Sequence, residues 1–203
     1  MKQHNILIDM GHGGLDSNGK YTTAPAKMHT FPDGEVIYEG VINRQIGKKV
    51  YEILEGLKYC PIYVVQPDDS RDVSLFGRVK YINSFDPKTS IGISFHSNAS
   101  TNGTARGNEI WTSIGETKSD ILANFIGKEI KDSFPEIKFR QDMSDGDIDK
   151  ESQFYILRKT LCPMVLIETL FFDNKEDAKL LKSSSFQNKM AETISNGIIK
   201  YLG

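Results

Sequence analysis

The chain has 203 residues, of which 38% are hydrophobic and 26% charged, and its formal net charge at pH 7 is -2. These proportions are typical of a globular protein that buries one sizeable core, so we predict a single domain over residues 1–203. Lysine and arginine form no long block. The composition therefore lacks the positive surface that attracts nucleic acids and anionic membranes, and we expect neither partner and a monomeric protein.

Residues 1–5 are polar and lead directly into an apolar run, without the apolar core of a signal peptide, and no run has the length of a transmembrane helix. We therefore expect a protein made in the cytoplasm without a signal peptide. Cys60 and Cys162 are the two cysteines, and in such a chain we expect reduced, buried thiols. A disulfide is the less favoured alternative, and a metal site would need more ligands.

The first apolar segment organises the rest of our interpretation. Residues 6–9 are predominantly apolar, with two β-branched isoleucines, and predict a short buried strand that ends at glycines able to form a turn with positive φ. His12 lies in that turn. Because open α/β sheets bind ligands beyond the carboxyl ends of their strands, His12 is a candidate site residue. The alternative is a loop histidine that only hydrogen-bonds a neighbouring backbone group.

Residues 15–37 contain prolines and glycines with little periodicity, and they predict an irregular loop over the site. We expect His29, within this loop, to be a surface residue. From Tyr38 onward apolar residues recur at helical spacing, which predicts the first long helix. Glu39 lies in its first turn, where its carboxylate either projects along the packed face or only complements the helix dipole. Position alone does not separate these two interpretations.

The rest of the chain alternates predicted strands and helices, which is typical of an α/β fold. We predict strands at residues 61–66, 90–95, 107–112, 154–157 and 163–167, with 137–143 as a candidate strand, and helices near 75–82, 118–133, 175–182 and 185–202. Ser70 or Asp72 is expected to cap the second helix, and Arg71 and Arg78 to be solvated. We interpret the acidic residues 144–149 as a solvated loop, because they lack the full calcium-loop pattern and its terminal glutamate.

His96 follows the third predicted strand and Glu168 the last, so with His12 they place three candidates at strand ends on one edge. A right-handed crossover brings the helix that carries Glu39 back to the same edge. Two histidines and one carboxylate, with one open position, form the ligand set of a catalytic zinc site. Zinc lowers the pKa of its bound water from about 15.7 to roughly 7, and a second carboxylate can then take the proton of that water. Glu168 fits this role, because burial raises the pKa of a carboxyl group.

At these residues the chain resembles the zinc-dependent N-acetylmuramoyl-L-alanine amidases of type 3. The matching segments are residues 6–14, Glu39 with Asn43 in the following helix, residues 95–99, and residues 165–168 leading into Phe171 and Asn174. The resemblance implies a twisted, mostly parallel sheet flanked by helices on both faces. It also implies that His12, Glu39 and His96 are the zinc ligands and that Glu168 is the catalytic glutamate.

The resemblance implies a peptidoglycan hydrolase that cleaves the amide between the lactyl group of N-acetylmuramic acid and L-alanine, with Zn²⁺ as cofactor. A zinc peptidase acting on wall peptide cross-links stays open, whereas a non-catalytic wall-binding module is less favoured because no ligand or base is lost. We expect a catalytic domain without a separate wall-binding domain, reaching the wall after release as phage endolysins do, or inside a mother cell. Leu170 and Asp173 depart from the family pattern, which usually has glycine and serine there, so we expect a different substrate-side loop.

Overall fold

The structure is a computed structural model that describes residues 4–23, 25, 27–58, 60–144 and 146–203. Its strands are β1 (Asn5–Met10), β2 (Met28–Thr30), β3 (Val36–Tyr38), β4 (Ile62–Val64), β5 (Ser90–Asn98), β6 (Glu109–Thr112), β7 (Lys150–Glu151) and β8 (Met164–Phe171). Its helices are α1 (Glu39–Gly56), α2 (Leu75–Ile82), α3 (Lys118–Ser133), α4 (Tyr155–Lys159), α5 (Lys175–Leu181) and α6 (Ser184–Leu202). Among the described residues, none of these helices combines the length and apolar composition needed to cross a membrane.

Six of the described strands form one sheet in the order β4-β1-β5-β8-β6-β7. Strands β4, β1, β5 and β8 run parallel, as do β6 and β7, whereas β6 runs antiparallel to β8. This arrangement confirms the predicted α/β fold with a mostly parallel sheet. Because β1, β5 and β8 are adjacent and parallel, their carboxyl ends meet at the middle of one edge, where such sheets bind ligands.

The central strands are buried on both faces, because successive side chains alternate between two apolar layers. From β1, Ile6 and Ile8 contact the larger layer, which contains residues of α1, α3, α5 and α6. Leu7 contacts the smaller layer, which contains residues of α2 and α4. Full burial of one such aliphatic side chain contributes about 1.5–3 kcal/mol. Helices therefore cover both faces of the sheet, as predicted.

The predicted irregular loop at residues 15–37 is wrong in part, because this segment contains the antiparallel hairpin of β2 and β3. Gly34, between the two strands, has a φ of 84°. Phe31 and Ile37 are buried and join the larger apolar layer. His29 is partly buried against the Phe31 ring, with 4.5 Å between the ring centroids, instead of lying free on the surface. Strands of three residues are too short for alternation to be visible in the sequence.

Two other predicted strands do not form. Residues 154–157 belong mostly to α4, and the apolar residues of this helix pack in the smaller layer. A short apolar run is compatible with a strand or a buried helix, and only its neighbours decide. Within residues 137–143, all of them described, the structure has only a single bridge, between Phe139 and Asn108.

Arg78 is buried, which contradicts the prediction of a solvated charge. It is 3% exposed, its Nη1 lies 3.5 Å from Oδ1 of Asp9, and its Nη2 donates to Oδ1 of Asp72 at 2.7 Å. Asp9 lies on β1 and is 0% exposed. Ser74 caps α2, instead of Ser70 or Asp72, by accepting a hydrogen bond from the backbone of the first helical turn. The buried ion pair therefore joins α2 to the central sheet.

The structure confirms the prediction that the two cysteines are free thiols. Cys60 and Cys162 are both free, and Cys162 is buried whereas Cys60 is only partly buried. Burial raises the pKa of the Cys162 thiol to about 12. A thiol with so high a pKa is an inert core residue, because the reactive species is the thiolate.

We expect Arg78→Ala to lower the free energy of unfolding by about 3–5 kcal/mol, because it leaves the Asp9 carboxylate buried without its cation. Urea denaturation of both proteins measures this difference. Arg71→Ala is the matched control, since Arg71 is exposed as predicted and such a surface change alters stability by less than about 0.5 kcal/mol. Equal, small effects in the two variants would contradict a structural role for the buried pair.

Candidate metal centre and active site

His12 lies in the turn that follows β1. Its φ is 65°, in the left-handed region that non-glycine residues rarely adopt and that occurs preferentially at functional sites. Its carbonyl accepts a hydrogen bond from Nη1 of Arg44, which holds the turn against α1. A Cβ atom at Gly11 would lie 2.3 Å from Cε1 of His96. Glycine is therefore required for the His12 turn to approach the neighbouring histidine.

Glu39 is the first residue of α1 and is 1% exposed. Nδ2 of Asn43, one helical turn later, donates to Oε1 of Glu39 at 3.3 Å and to the carbonyl of Gly11 at 3.1 Å. The backbone N–H of Ser97 also donates to Oε1, at 3.4 Å. The carboxylate thus projects into the packed interior, as the first of the two interpretations predicts.

The structure brings His12, Glu39 and His96 together. Oε1 of Glu39 lies 3.2 Å from Nε2 of His12 and 2.9 Å from Nδ1 of His96. The two imidazole rings are nearly perpendicular, with their centroids 4.9 Å apart and an interplanar angle of 88°. One nitrogen or oxygen atom of each residue lies within 4.8 Å of the other two. His96 itself lies inside β5, which continues to Asn98, and not beyond the end of the strand as predicted.

Electrostatics in this group favour an ionised carboxylate beside the imidazoles. Burial alone would raise the pKa of Glu39, but the two neighbouring imidazoles outweigh burial and hold this pKa well below its usual range. Burial lowers the pKa of His12, which favours the neutral ring that binds metals. Burial also acts to lower the pKa of His96, but the Glu39 carboxylate outweighs it and raises this pKa.

These donors fit a divalent metal ion. Nε2 of His12 and Oε2 of Glu39 are buried and, among the described residues, have no hydrogen-bond partner. Buried polar atoms rarely stay unpaired, and a cation bound between them would satisfy both. Two imidazoles and one carboxylate, with a fourth position open, are the donors that zinc prefers in catalytic sites.

Glu168 lies on the strand next to His96. The Cα atoms of the two residues are paired in the parallel register of β5 and β8, so their side chains leave the same face of the sheet. Oε2 of Glu168 is buried without a hydrogen-bond partner in the described part of the chain. Burial raises the pKa of this carboxyl to about 8. Glu168 lies within β8, which continues to Phe171, and not just beyond the strand as predicted.

The structure accommodates both departures from the family pattern. Leu170 has a φ of 58° and is fully buried, so the backbone adopts the conformation that glycine prefers while the leucine side chain fills the core. Oδ2 of Asp173 accepts hydrogen bonds from the backbone N–H and the hydroxyl of Ser100. Asp173 therefore ties the loop after β8 to the loop after β5.

The sequence analysis missed Glu109, the Cα partner of Glu168 on the antiparallel strand β6. Glu109 is 2% exposed. Its Oε1 accepts from Nε of Arg140 at 2.7 Å and from Nζ of Lys150 at 2.9 Å, and its Oε2 accepts from Nδ2 of Asn98 at 2.9 Å. The sequence offered one signal for this role, because Glu109 is a charged residue inside the predicted strand at residues 107–112. These contacts place two cations beside the strand that carries Glu168.

A groove of about 810 Å³ lies between the β2–β3 hairpin and the loops that follow β5 and β8. Lys27, at one end, has a φ of 64°, and its Nζ lies 3.9 Å from Oε2 of Glu39. Lys175 lines the groove on its other side. The volume is in the range of ligand-binding clefts, roughly 300–1,000 Å³. Residues 27–32, which include strand β2, line this cleft, and Lys27 connects it to Glu39.

Comparison with known proteins agrees with this geometry. The family model described as N-acetylmuramoyl-L-alanine amidase matches residues 6–200. The endolysin of Bacillus phage SPP1 is 31% identical over 204 residues, which cover 97% of this chain and 65% of the relative. The amidase LytC of Bacillus subtilis is 27% identical over 198 residues, which cover 97% of this chain and 35% of the relative.

Two solved structures share the fold over nearly the whole chain. The N-acetylmuramoyl-L-alanine amidase from Clostridium difficile 630 has a TM-score of 0.76 and 28% identity, covering 100% of this chain and 98% of that one. The catalytic domain of CwlV from Bacillus (Paenibacillus) polymyxa has a TM-score of 0.79 and 26% identity, covering 98% of both chains. The chain spans 65% and 35% of the lengths of the two curated relatives. By the family match and the shared fold, the chain belongs to the N-acetylmuramoyl-L-alanine amidase family.

Proposed function

We propose that this protein is a zinc-dependent N-acetylmuramoyl-L-alanine amidase. It hydrolyses the amide between the lactyl group of N-acetylmuramic acid and the L-alanine of the peptidoglycan stem peptide. The observation that carries this proposal is the grouping of donor atoms from His12, Glu39 and His96 within 4.8 Å, in a chain of the amidase family.

In this mechanism His12, Glu39 and His96 would hold the metal ion, and Glu168 would act from the neighbouring strand. When bound, zinc supplies a Lewis acid that polarises the scissile carbonyl and lowers the pKa of water. Glu168 takes the proton of the attacking water and transfers it to the departing amine of L-alanine. Burial raises the pKa of Glu168 to about 8, and a nearby dication lowers the pKa of a carboxyl group, toward the neutral range in which a general base is effective.

The same relatives support a proposal about where the enzyme works. One of them is a phage endolysin, so we place this protein at the cell wall after release through a membrane lesion. Action inside a mother cell is the alternative. A zinc peptidase that cuts wall cross-links would use the same metal chemistry, and the products of digestion distinguish it from an amidase.

Digestion of purified peptidoglycan should release stem peptides with a free L-alanine amino group and leave N-acetylmuramic acid with a free lactyl carboxyl. Each cleavage adds one water to this amide, and mass spectrometry of the products identifies the bond. A boiled sample is the control. Products in which the cross-links are cut and the lactyl amide is intact would replace the amidase proposal with the peptidase.

His12→Ala, His96→Ala and Glu39→Ala should each lose bound zinc and lytic activity, because each removes one of three ligands. Zinc content by atomic absorption and wall lysis are measured on the same preparations. His4→Ala is the matched control, since His4 lies before β1 and outside the donor group, and this variant should retain both. Full zinc occupancy in Glu39→Ala would return this residue to the role of a helix-dipole partner.

Glu168→Gln should lower the lytic rate by about 10²-fold or more while zinc content and the thermal midpoint stay near those of the parent protein. Glutamine keeps the side-chain volume but accepts no proton from water. Glu136→Gln, at an exposed position, is the control and should keep full activity. A destabilised Glu168→Gln protein with near-normal specific activity would remove Glu168 from the mechanism.

A further inference from the structure

A second group of acidic side chains lies where α3 meets the loop before β7. Asp120 lies in the first turn of α3, and Asp147 and Asp149 lie in the loop before β7. The sequence predicts a solvated loop at residues 144–149, and the structure corrects this prediction for its last residue. Asp149 is 2% exposed and Asp120 is 9% exposed. Contact with α3, distant in sequence, is the reason for this burial.

The spacing of these carboxylates suits a cation. One oxygen atom of each aspartate lies within 4.8 Å of the other two. Oxygen ligands lie about 2.3–2.6 Å from Ca²⁺, so two ligands of one ion are at most roughly 5 Å apart. Asp120 is held in place, because its Oδ2 accepts a hydrogen bond from the backbone N–H of Thr117 and its Oδ1 accepts from the Thr117 hydroxyl.

The state of Asp149 is an independent indication of a ligand. Its Oδ2 accepts a hydrogen bond from the Thr112 hydroxyl at 2.6 Å, whereas its Oδ1 is buried and has no hydrogen-bond partner among the described residues. Neither Asp120 nor Asp149 forms an ion pair with a lysine, arginine or histidine that the structure describes. Burial, together with the charges of Asp147 and Asp120, raises the pKa of Asp149 to about 7. A buried carboxylate oxygen in this state is costly unless a proton or a cation satisfies it.

We propose that Asp120, Asp147 and Asp149 bind a hard divalent cation of the calcium type, at a site separate from the histidine-containing one. All of the donors are carboxylate oxygens, which suit Ca²⁺, Mg²⁺ and Mn²⁺ but lack the nitrogen or sulfur that zinc prefers. Of the hard cations, Ca²⁺ tolerates irregular geometry, whereas Mg²⁺ demands a near-ideal octahedron. A donor set from one helix and one loop therefore favours Ca²⁺.

Such an ion would connect a surface loop to the active-site edge of the sheet. The residue after Asp149 is Lys150, which begins β7 and donates from Nζ to Oε1 of Glu109 at 2.9 Å. Glu109 is in turn the strand partner of Glu168. Binding at the three aspartates would fix the loop against α3 and hold Lys150 at the edge of the sheet.

The test is a calcium titration of the full chain, as purified and dialysed into calcium-free buffer, with KCl at matched ionic strength as the reference salt. Ligand binding to the folded state stabilises it, so CaCl₂ at 100 times the dissociation constant should raise Tm by roughly 5 to 10 °C. Isothermal titration calorimetry with CaCl₂ should show one saturable site. No saturable heat and no rise in Tm beyond that in KCl would overturn the proposal in favour of carboxyls that share a proton.

Variants of single aspartates test which residues bind the calcium ion. Asp149→Asn should fold, since it removes repulsion between neighbouring carboxylates, and its Tm should no longer respond to CaCl₂. Asp147→Asn tests the same site from a less buried position. Asp142→Asn is the control, because Asp142 is exposed in the same loop and lies outside the group. It should respond to CaCl₂ as the parent chain does. An unchanged calcium response in both Asp149→Asn and Asp147→Asn would overturn the assignment of these residues.

Discussion

The burial of one carboxylate between two imidazoles is the constraint on which this site depends. An ionised carboxylate in an apolar interior is costly unless charged or hydrogen-bonding groups surround it. Glu39 meets this condition through His12 and His96, and through donors on Asn43 and Ser97. These groups come from β1, α1 and β5, so the site is complete only when the three elements have packed. Assembly of this donor group and packing of the core are therefore linked.

Other buried carboxylates of the sheet are subject to the same cost of burial. The partners that each one has indicate its role. Asp9 is paired with Arg78, and Glu109 is surrounded by two cations and an amide, so both stabilise the packing of neighbouring elements. Glu168 differs, because one of its oxygens is buried without a hydrogen-bond partner among the residues that the structure describes, and burial raises its pKa. The strand register places it beside His96. A carboxyl with a raised pKa, next to a candidate metal-binding group, is a candidate for the proton transfer proposed above.

The cleft that Lys27 connects to Glu39 is built from one hairpin and two loops. The β2–β3 hairpin forms one wall, and the loops after β5 and β8 form the other. Asp173 ties these two loops together through Ser100, and Leu170 retains a left-handed backbone without glycine. Loops on a rigid scaffold commonly carry specificity, whereas the strands carry the shared chemistry. Differences from relatives in substrate preference are therefore expected to arise from these loops.

The sequence alone determined the fold class, because continuous apolar strands and helical periodicity are local patterns that persist in any context. It also predicted four candidate site residues, His12, Glu39, His96 and Glu168, and the structure brings the donor atoms of the first three together. Only the tertiary structure decided the features that depend on contacts between residues far apart in sequence. Arg78 is buried because α2 packs over Asp9, and Asp149 is buried because its loop meets Asp120 on α3. Residues 154–157 enter a helix because their apolar side chains pack in the smaller layer. Such contacts join residues that are far apart in sequence, and no local pattern encodes which distant partner will remove a side chain from water.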